Sequence, residues 1–198
     1  IFIRWNNALP ILDKVKAKSA SKKHLNQTVS SRKPFGLATN FNEFSMKKSD
    51  SKNILKVYGL GKRIDHVERK HITNNIQMIS KYKVLVSYVK GISTYPDNII
   101  LKPFIAGPGE ICKEQYLVLD WFSTEEEANK FINYIETKLV RFLIALRKIS
   151  KHNTSEVWSY VPYPDLDKDY TNEMLYNFYE LTKKEIDFID SKVTDLNT

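Results

Sequence analysis

The chain has 198 residues, 42% of them hydrophobic and 12% aromatic, which is enough for one globular domain with a real core. Lys and Arg number 31 against 23 Asp and Glu, so the formal net charge is +8. This balance favours a polyanionic partner, either nucleic acid or an anionic membrane surface, although Lys enrichment also arises from compositional bias. No apolar run reaches about 18 residues and no signal peptide is evident, so we expect no membrane span.

Cysteine and histidine usage narrows the chemistry further. The single Cys112 excludes an internal disulfide and is typical of a reducing, cytoplasmic setting. The four histidines are scattered without ligand spacing, which argues against a structural zinc site. The chain does not begin with Met, and its opening IFIRWNNALP resembles a strand running into a helix. We therefore expect a piece of a longer protein.

The first third of the chain predicts a short strand, a helix and long loops. After an apolar strand at residues 1–3, Asn6 or Asn7 is expected to cap a helix that carries Pro10 in its first turn. In residues 30–44, SSRKPFGLATNFNEF, Pro34 and Gly36 are expected to break regular structure, next to two aromatic residues of the type that is usually buried, Phe35 and Phe41.

The middle of the chain predicts strands. Residues 53–69 resemble a hairpin around two glycines, and residues 83–89 and 99–107 predict two further strands. Between the hairpin and residues 83–89, Thr73 is expected to cap a short helix. After a Gly-Pro-Gly turn, the apolar run YLVLDWF predicts the strand that organises the core.

One long amphipathic helix is predicted over residues 123–150. Ser123 or Thr124 is the expected N-cap, three glutamates follow in the first turn, and an apolar stripe continues to Leu146. Beyond it, VWSYVPYPDL predicts an extended strap, and helices are expected to start at Thr171 and Thr182.

These elements predict a mixed α/β (α+β) fold. We expect a twisted, mostly antiparallel sheet packed against the long helix, followed by a helical C-terminal tail. The whole of 1–198 is predicted to be a single domain, with strands and loops mainly over 30–122, the long helix over 123–150, and the strap and C-terminal helices over 156–193.

Catalytic motifs are sparse. The sequence has no glycine-rich phosphate loop and no G-x-S-x-G elbow. A metal-dependent nuclease would use an acid followed by Glu-x-Lys, because carboxylates hold the cation while Lys helps to activate water. Two such patterns exist, Asp120 with Glu136-Thr-Lys138 and Asp65 with Glu68-Arg-Lys70. The first lies inside the predicted long helical segment, where Glu→Lys pairs are ordinary surface charges. The second has too little chain between its acids for the usual arrangement, so neither pattern establishes a metal site.

Several segments in a fixed order resemble a known class of enzyme. They are VSSRKPFGLATNF, KPFIAGPGEICKEQYLVL, FSTEEEANKFINYIETKLVRFLIALRKIS, WSYVPYPDL and YELTKKEIDFIDSKV. Together they resemble the C-terminal target-recognition region of bacterial restriction–modification adenine-specific DNA methyltransferases, including type IIG-like fusions with an endonuclease. The resemblance covers residues 29–193.

The resemblance implies sequence-specific binding of double-stranded DNA, next to an N-terminal catalytic domain that uses S-adenosylmethionine and flips the target adenine. This chain has neither the Asn-Pro-Pro-Tyr type motif nor a cofactor-binding glycine motif, so we expect no cofactor and no methylation by this piece alone. Hydroxyls and cations are expected to contact phosphates, and cations and amides to read base edges. The predicted phosphate contacts are Ser31, Arg32, Lys33, Arg147, Lys148 and Lys151. The predicted base-reading residues are Asn40, Lys62, Arg63, His66 and Arg69.

Two alternatives remain open from the sequence. The first is a metal-dependent restriction endonuclease domain that uses the acids named above. The second is a protein-interaction module whose basic face docks an acidic partner.

Overall fold

A computed structural model describes residues 3–45, 53–89, 101–148, 150 and 152–196. Helices and two small, mostly antiparallel sheets make up this part of the chain, which confirms the mixed α+β prediction. The described residues group into two compact units. The strand unit comprises residues 29–89 and 102–129, and the helical unit comprises those up to Thr28 together with those from Lys130 onward. The single-domain assignment stays a prediction.

Two three-stranded sheets form the strand unit, where one sheet was predicted. In the first, β1 (Ile54–Tyr58) pairs antiparallel with β2 (Ile64–Glu68), as the hairpin prediction requires, and parallel with β5 (Glu110–Cys112). In the second, β3 (Tyr82–Ser87) lies between β4 (Phe104–Ala106) and β6 (Tyr116–Phe122), both antiparallel to it. Strand β5 was not predicted, since it is only three residues long and follows a turn.

The core of the strand unit includes alternate positions of β1. Leu55 and Val57 of β1 are buried while the residues between them are only partly so, as expected when one face of a strand is covered. They pack with Ile111, Val118 and the loop residue Phe35 in one hydrophobic cluster. The loop is therefore part of the scaffold as much as the strands are.

Helices make up the helical unit. They are α1 (Leu9–Ser19), the C-terminal part of α2 (Glu125–Glu136), α3 (Lys138–Arg147), α4 (Asn172–Phe178) and α5 (Lys183–Lys192). Every residue of α3 from Leu139 to Leu146 is buried, including Arg141, whose guanidinium donates to the carbonyl of Thr194. The predicted extended strap begins as a 3-10 turn, Ser155–Trp158, and Trp158 is fully buried.

The single long helix predicted over residues 123–150 is wrong. The chain breaks at Thr137, whose backbone is extended (φ −61°, ψ 149°) and separates α2 from α3. The Thr137 hydroxyl donates to the Tyr134 carbonyl at 2.8 Å, and the free N–H of Lys138 donates to the Asn172 side chain at 2.7 Å. The second bond satisfies a backbone N–H at the start of α3 that would otherwise lack a partner, while the Tyr134 carbonyl also accepts the Thr137 N–H at 3.2 Å. The apolar stripe continues across the break, so periodicity alone does not show it.

Helix capping follows the sequence at three of five positions. Thr124, Thr171 and Thr182 accept hydrogen bonds from the third residue after each, and Thr182 forms a complete capping box with Glu185. The predicted caps at Asn6 or Asn7 and at Thr73 are wrong. Asn6–Ala8 form a 3-10 turn that leads directly into α1, and the short 3-10 helix at Ile76–Met78 follows Asn75. The strand predicted at 1–3 falls largely outside the described residues, and Ile3 is not in a strand.

A buried lysine links two turns of the strand unit. The Lys83 ammonium is inaccessible to solvent and donates to three carbonyls, those of Ile79 at 3.3 Å, Lys81 at 2.7 Å and Gly107 at 2.6 Å. Burial lowers the pKa of Lys83 to about 8, since removing the charged form from water is costly and no carboxylate contacts it directly.

We expect the Lys83 ammonium to make stability depend on pH in the alkaline range. In the folded state it loses its proton near pH 8, whereas the unfolded chain keeps it to about pH 10.5, so the unfolded state binds more protons between these values. The free energy of unfolding should therefore rise from pH 8 to 9.5, by on the order of 2 kcal/mol. Urea titrations at several pH values should show this rise in the native protein and in the exposed control Lys70→Met. The rise should be absent in Lys83→Met, and an equal rise in that variant would contradict the assignment.

Candidate nucleic-acid interface

The loop that carries the first predicted phosphate contacts is fixed at both ends of its basic segment. Ser30 donates its N–H to the Val118 carbonyl at 2.8 Å and accepts the Val118 N–H on its hydroxyl at 2.9 Å. Beyond the segment, Gly36 has φ +85°, and a Cβ there would lie 2.2 Å from the Thr73 hydroxyl. Only glycine fits that position. Ser31, Arg32 and Lys33, between these anchors, are exposed.

A buried carboxylate organises the surroundings of this segment. Glu114 Oε1 accepts the backbone N–H of Thr39 at 2.7 Å and its hydroxyl at 2.8 Å. Glu114 Oε2 lies 3.0 Å from Arg32 Nη2 and 4.0 Å from Lys33 Nζ. Burial alone would raise the pKa of Glu114, but the Thr39 hydrogen bonds and the nearby Arg32 outweigh burial and lower it. Glu114 therefore stays ionised and connects the basic segment to the loop that carries Asn40.

A shallow open depression lies beside this carboxylate. Its volume is about 340 Å³, and Asn40 and Arg63 are among the residues that line it. Gln115, also in the lining, donates its side-chain amide to the Thr39 hydroxyl at 2.9 Å. Asn40 and Arg63 are exposed, so two predicted base-reading side chains are brought together.

The floor of the depression is charged and largely satisfied from within. Lys113 is buried, donates to the Phe41 carbonyl at 3.3 Å and lies 4.4 Å from the ring centroid of Phe44. Asp65 lies between Lys113, at 3.9 Å, and Arg63, at 3.2 Å. The Arg63 side chain is 73% exposed, so most of its guanidinium donors still face solvent.

Lys62 occupies a tight turn next to Arg63. Gly61 and Lys62 both have positive φ, and the Lys62 N–H donates to the Tyr116 hydroxyl at 3.0 Å. Its ammonium lies 4.3 Å from the ring centroid of Phe104, a distance typical of a cation–π contact. The backbone of the turn is thus fixed, and the ammonium rests on an aromatic face.

The remaining base-reading candidates lie apart from the depression. His66 is half-buried in β2 opposite Lys56, and Arg69 is exposed in the 3-10 turn that follows β2. Arg69 lines a different depression, together with Lys70 and Ile76. The structure therefore groups Asn40 with Arg63 but does not group either with His66 or Arg69.

The second predicted phosphate cluster belongs to the helical unit. Arg147 forms an ion pair with Glu156 at 2.7 Å. Lys148 is buried, and its ammonium donates to the Asn153 side chain and the His152 carbonyl. A phosphate contact would require Lys148 to leave these partners, which the prediction did not foresee. Lys151 lies outside the described residues.

Several residues of the nuclease alternative are engaged in ion pairs. Glu68 pairs with its own neighbour Lys70 at 2.8 Å, and Asp65 is held by Arg63 and Lys113. The Lys138 ammonium forms an ion pair with Asp190 at 2.9 Å, and Asp190 is not one of the acids in the predicted nuclease pattern. Within the described ranges, no group of three or more His, Cys, Asp or Glu is placed to hold a metal ion.

Glu114, Thr39, Lys113 and Gln115 were not identified from the sequence. For three of them, the only sign in the sequence is the polar triplet Lys-Glu-Gln at 113–115, which lies between two apolar segments. Polar residues between two strands are ordinarily exposed in a turn, and only the structure shows that Lys113 and Glu114 are buried.

No protein-family model matches the chain, and a search of curated proteins finds no match. Among the residues that the structure describes, no helix has the length and apolar character needed to cross a membrane.

We expect Glu114→Gln to destabilise the protein by about 1–2 kcal/mol at pH 7, since it removes the charge that Arg32 and Thr39 contact in a buried position. A lowered pKa stabilises above the ordinary value of 4.5 and the stabilisation disappears as pH falls through the folded pKa. The difference between wild type and variant should therefore shrink towards pH 3. Urea unfolding measures it, with the exposed Glu43→Gln as the matched control. A constant difference across this pH range would contradict the role of the charge.

Proposed function

We propose that this chain is the DNA target-recognition region of an adenine-specific methyltransferase of a restriction–modification system. On this proposal it holds duplex DNA for a separate catalytic domain that binds S-adenosylmethionine. The ordered resemblance of residues 29–193 motivates the class of enzyme. The observation that carries the proposal is the contact chain in the strand unit, where Glu114 and Gln115 join the basic segment 31–33 to the depression lined by Asn40 and Arg63.

The basic segment suits phosphate. Ser31 offers a hydroxyl, Arg32 a guanidinium and Lys33 an ammonium, all exposed on a loop whose backbone is anchored. Arg32 also lies 5.3 Å from the ring centroid of Tyr88, so its side chain is supported on one face and by Glu114 at its end. Support of this kind reduces the entropy lost on binding. These residues would set position and orientation on the duplex without reading sequence.

The depression suits base edges. The Asn40 amide presents a donor and an acceptor, the pair that adenine N7 and N6 require in the major groove. Arg63 presents two parallel donors, the pair that guanine O6 and N7 accept. Asp65 fixes one side of the guanidinium and leaves the rest exposed. Lys62 beside it adds charge near the same edge.

On this proposal the methyl transfer takes place in the separate catalytic domain. Adenine methylation requires a pocket for the flipped base and a bound methyl donor, and the resemblance places both in the catalytic domain. The residues described above bind and orient DNA.

We expect the proposed phosphate and base contacts to separate experimentally. Lys33→Ala should weaken duplex binding to a similar degree on all sequences and reduce the salt slope by about one unit. Arg63→Ala and Asn40→Ala should each relax specificity at one base pair, with a loss of about 1–3 kcal/mol on the preferred site. Selection from a random duplex pool defines that site, and mobility-shift assays across 50–200 mM salt measure both effects.

The matched control is Lys183→Ala, which removes an exposed lysine of the helical unit and should leave binding unchanged. A flat salt dependence of the native protein would remove the DNA proposal and favour the protein-interaction alternative. Cleavage of plasmid DNA with Mg²⁺ or Mn²⁺ that is lost in Glu68→Ala would instead favour the nuclease.

A further inference from the structure

The helical unit contains an aromatic cavity that the proposed function does not use. Its volume is about 360 Å³, which falls in the range of small-molecule sites. The strap residues Pro162, Tyr163 and Pro164 line it together with Tyr170 and with Phe178 of α4. Met174 and Phe178 are about half exposed at 47% and 48%, so the cavity opens to solvent beside two large apolar side chains.

The aromatic lining of the cavity includes two ring pairs that pack edge to face. Tyr134 and Tyr170 meet edge to face at 4.9 Å, as do Phe178 and Tyr179. The Tyr134 hydroxyl is already satisfied by the Pro162 carbonyl at 2.7 Å, and that of Tyr170 by the Asp165 N–H at 2.8 Å. The rings therefore present apolar surface to the cavity, and their polar ends place no unmet demand on a ligand.

Positive charge gathers at the rim. Lys22 lines the cavity, and its ammonium lies 5.3 Å from the Phe178 ring centroid. Lys23 lies 5.0 Å from that of Tyr163. Within the described part of the chain neither ammonium forms an ion pair with a carboxylate. The lining residue Asp165 forms its ion pair with Lys168 at 3.0 Å, and Lys168 first and Lys22 to a smaller extent lower the pKa of that carboxyl.

We propose that this cavity binds a nucleotide, with the base against the aromatic lining that includes the half-exposed Phe178 and the phosphate at Lys22 and Lys23. Stacking on aromatic side chains is available to every base, and adjacent cations neutralise the phosphate. Asn177 also lines the cavity, and its side-chain amide offers both a donor and an acceptor to a base edge. An aliphatic ligand would gain from the apolar area but has no use for the amide or the two ammonium groups.

The same chemistry occurs in a free nucleotide and in an unstacked base of a single strand, and one set of titrations distinguishes them. Calorimetry on the full chain with AMP, adenosine and a short single-stranded oligo-dA should show AMP binding several-fold more tightly than adenosine. Binding of the oligonucleotide in competition with AMP identifies an unstacked base as the source. Binding of AMP without the oligonucleotide identifies a free nucleotide.

Variants test the two halves of the site separately. Phe178→Ala should weaken AMP and adenosine alike by about tenfold, because it removes a stacking face. Lys22→Ala should weaken AMP alone and bring it close to adenosine. Met174→Trp, at an exposed position on the rim, should block both ligands without disturbing the core.

The matched controls come from the strand unit, where Lys81 lies 5.8 Å from the ring centroid of the partly exposed Trp121. Trp121→Ala and Lys81→Ala should leave AMP binding unchanged. Failure of AMP and oligonucleotide to bind at millimolar concentration, or binding that Phe178→Ala and Met174→Trp do not weaken, overturns the proposal. The DNA proposal is judged independently, since it rests on duplex binding by Arg63 and Asn40.

Discussion

The buried carboxylate of Glu114 is the interaction on which the candidate surface depends. One of its oxygens fixes Thr39 and the other faces Arg32 and Lys33, so a single side chain determines the geometry of two loop segments. Burying an ionised carboxylate is costly unless its partners compensate, and here hydrogen bonds and cations together lower its pKa. The Glu114 carboxylate therefore neutralises part of the positive charge of Arg32 and Lys33, whose side chains remain about half exposed to solvent. A loop arranged in this way can present cations to a polyanion without first having to become ordered.

The strands supply the rigidity that the loops lack. Ser30 is bonded twice to β6, and Gly36 approaches Thr73 so closely that no side chain would fit. Phe35 between them is fully buried in the core cluster. The exposed residues 31–33 thus lie between anchoring positions, with Ser30 on one side and Phe35 and Gly36 on the other. Functional side chains on loops positioned by a rigid scaffold are a common arrangement in binding proteins.

Local signals in the sequence predicted much of the fold and little of the site. Hairpin and capping patterns act between near neighbours, so β1, β2 and the cap at Thr182 were found correctly. The break at Thr137 depends on Asn172, whose side chain accepts the N–H of Lys138 from 34 residues away. The parallel pairing of β5 with β1 joins segments more than 50 residues apart. Glu114 was not predicted for the same reason, because its burial and its contacts with Thr39 and Arg32 depend on residues that are distant in sequence.

The net charge of +8 gives no location for a polyanion, and the ion pairs show why. Arg147 is paired with Glu156 and Lys148 is buried against Asn153, so two of the predicted contacts are already engaged within the protein. Arg63 is also paired, yet its guanidinium stays largely exposed, because a planar group with five donors can bond one carboxylate and still present an edge. What distinguishes a cation available to DNA is therefore the number of donors left facing solvent. By that measure Arg63 and the segment 31–33 are better placed than the basic end of α3.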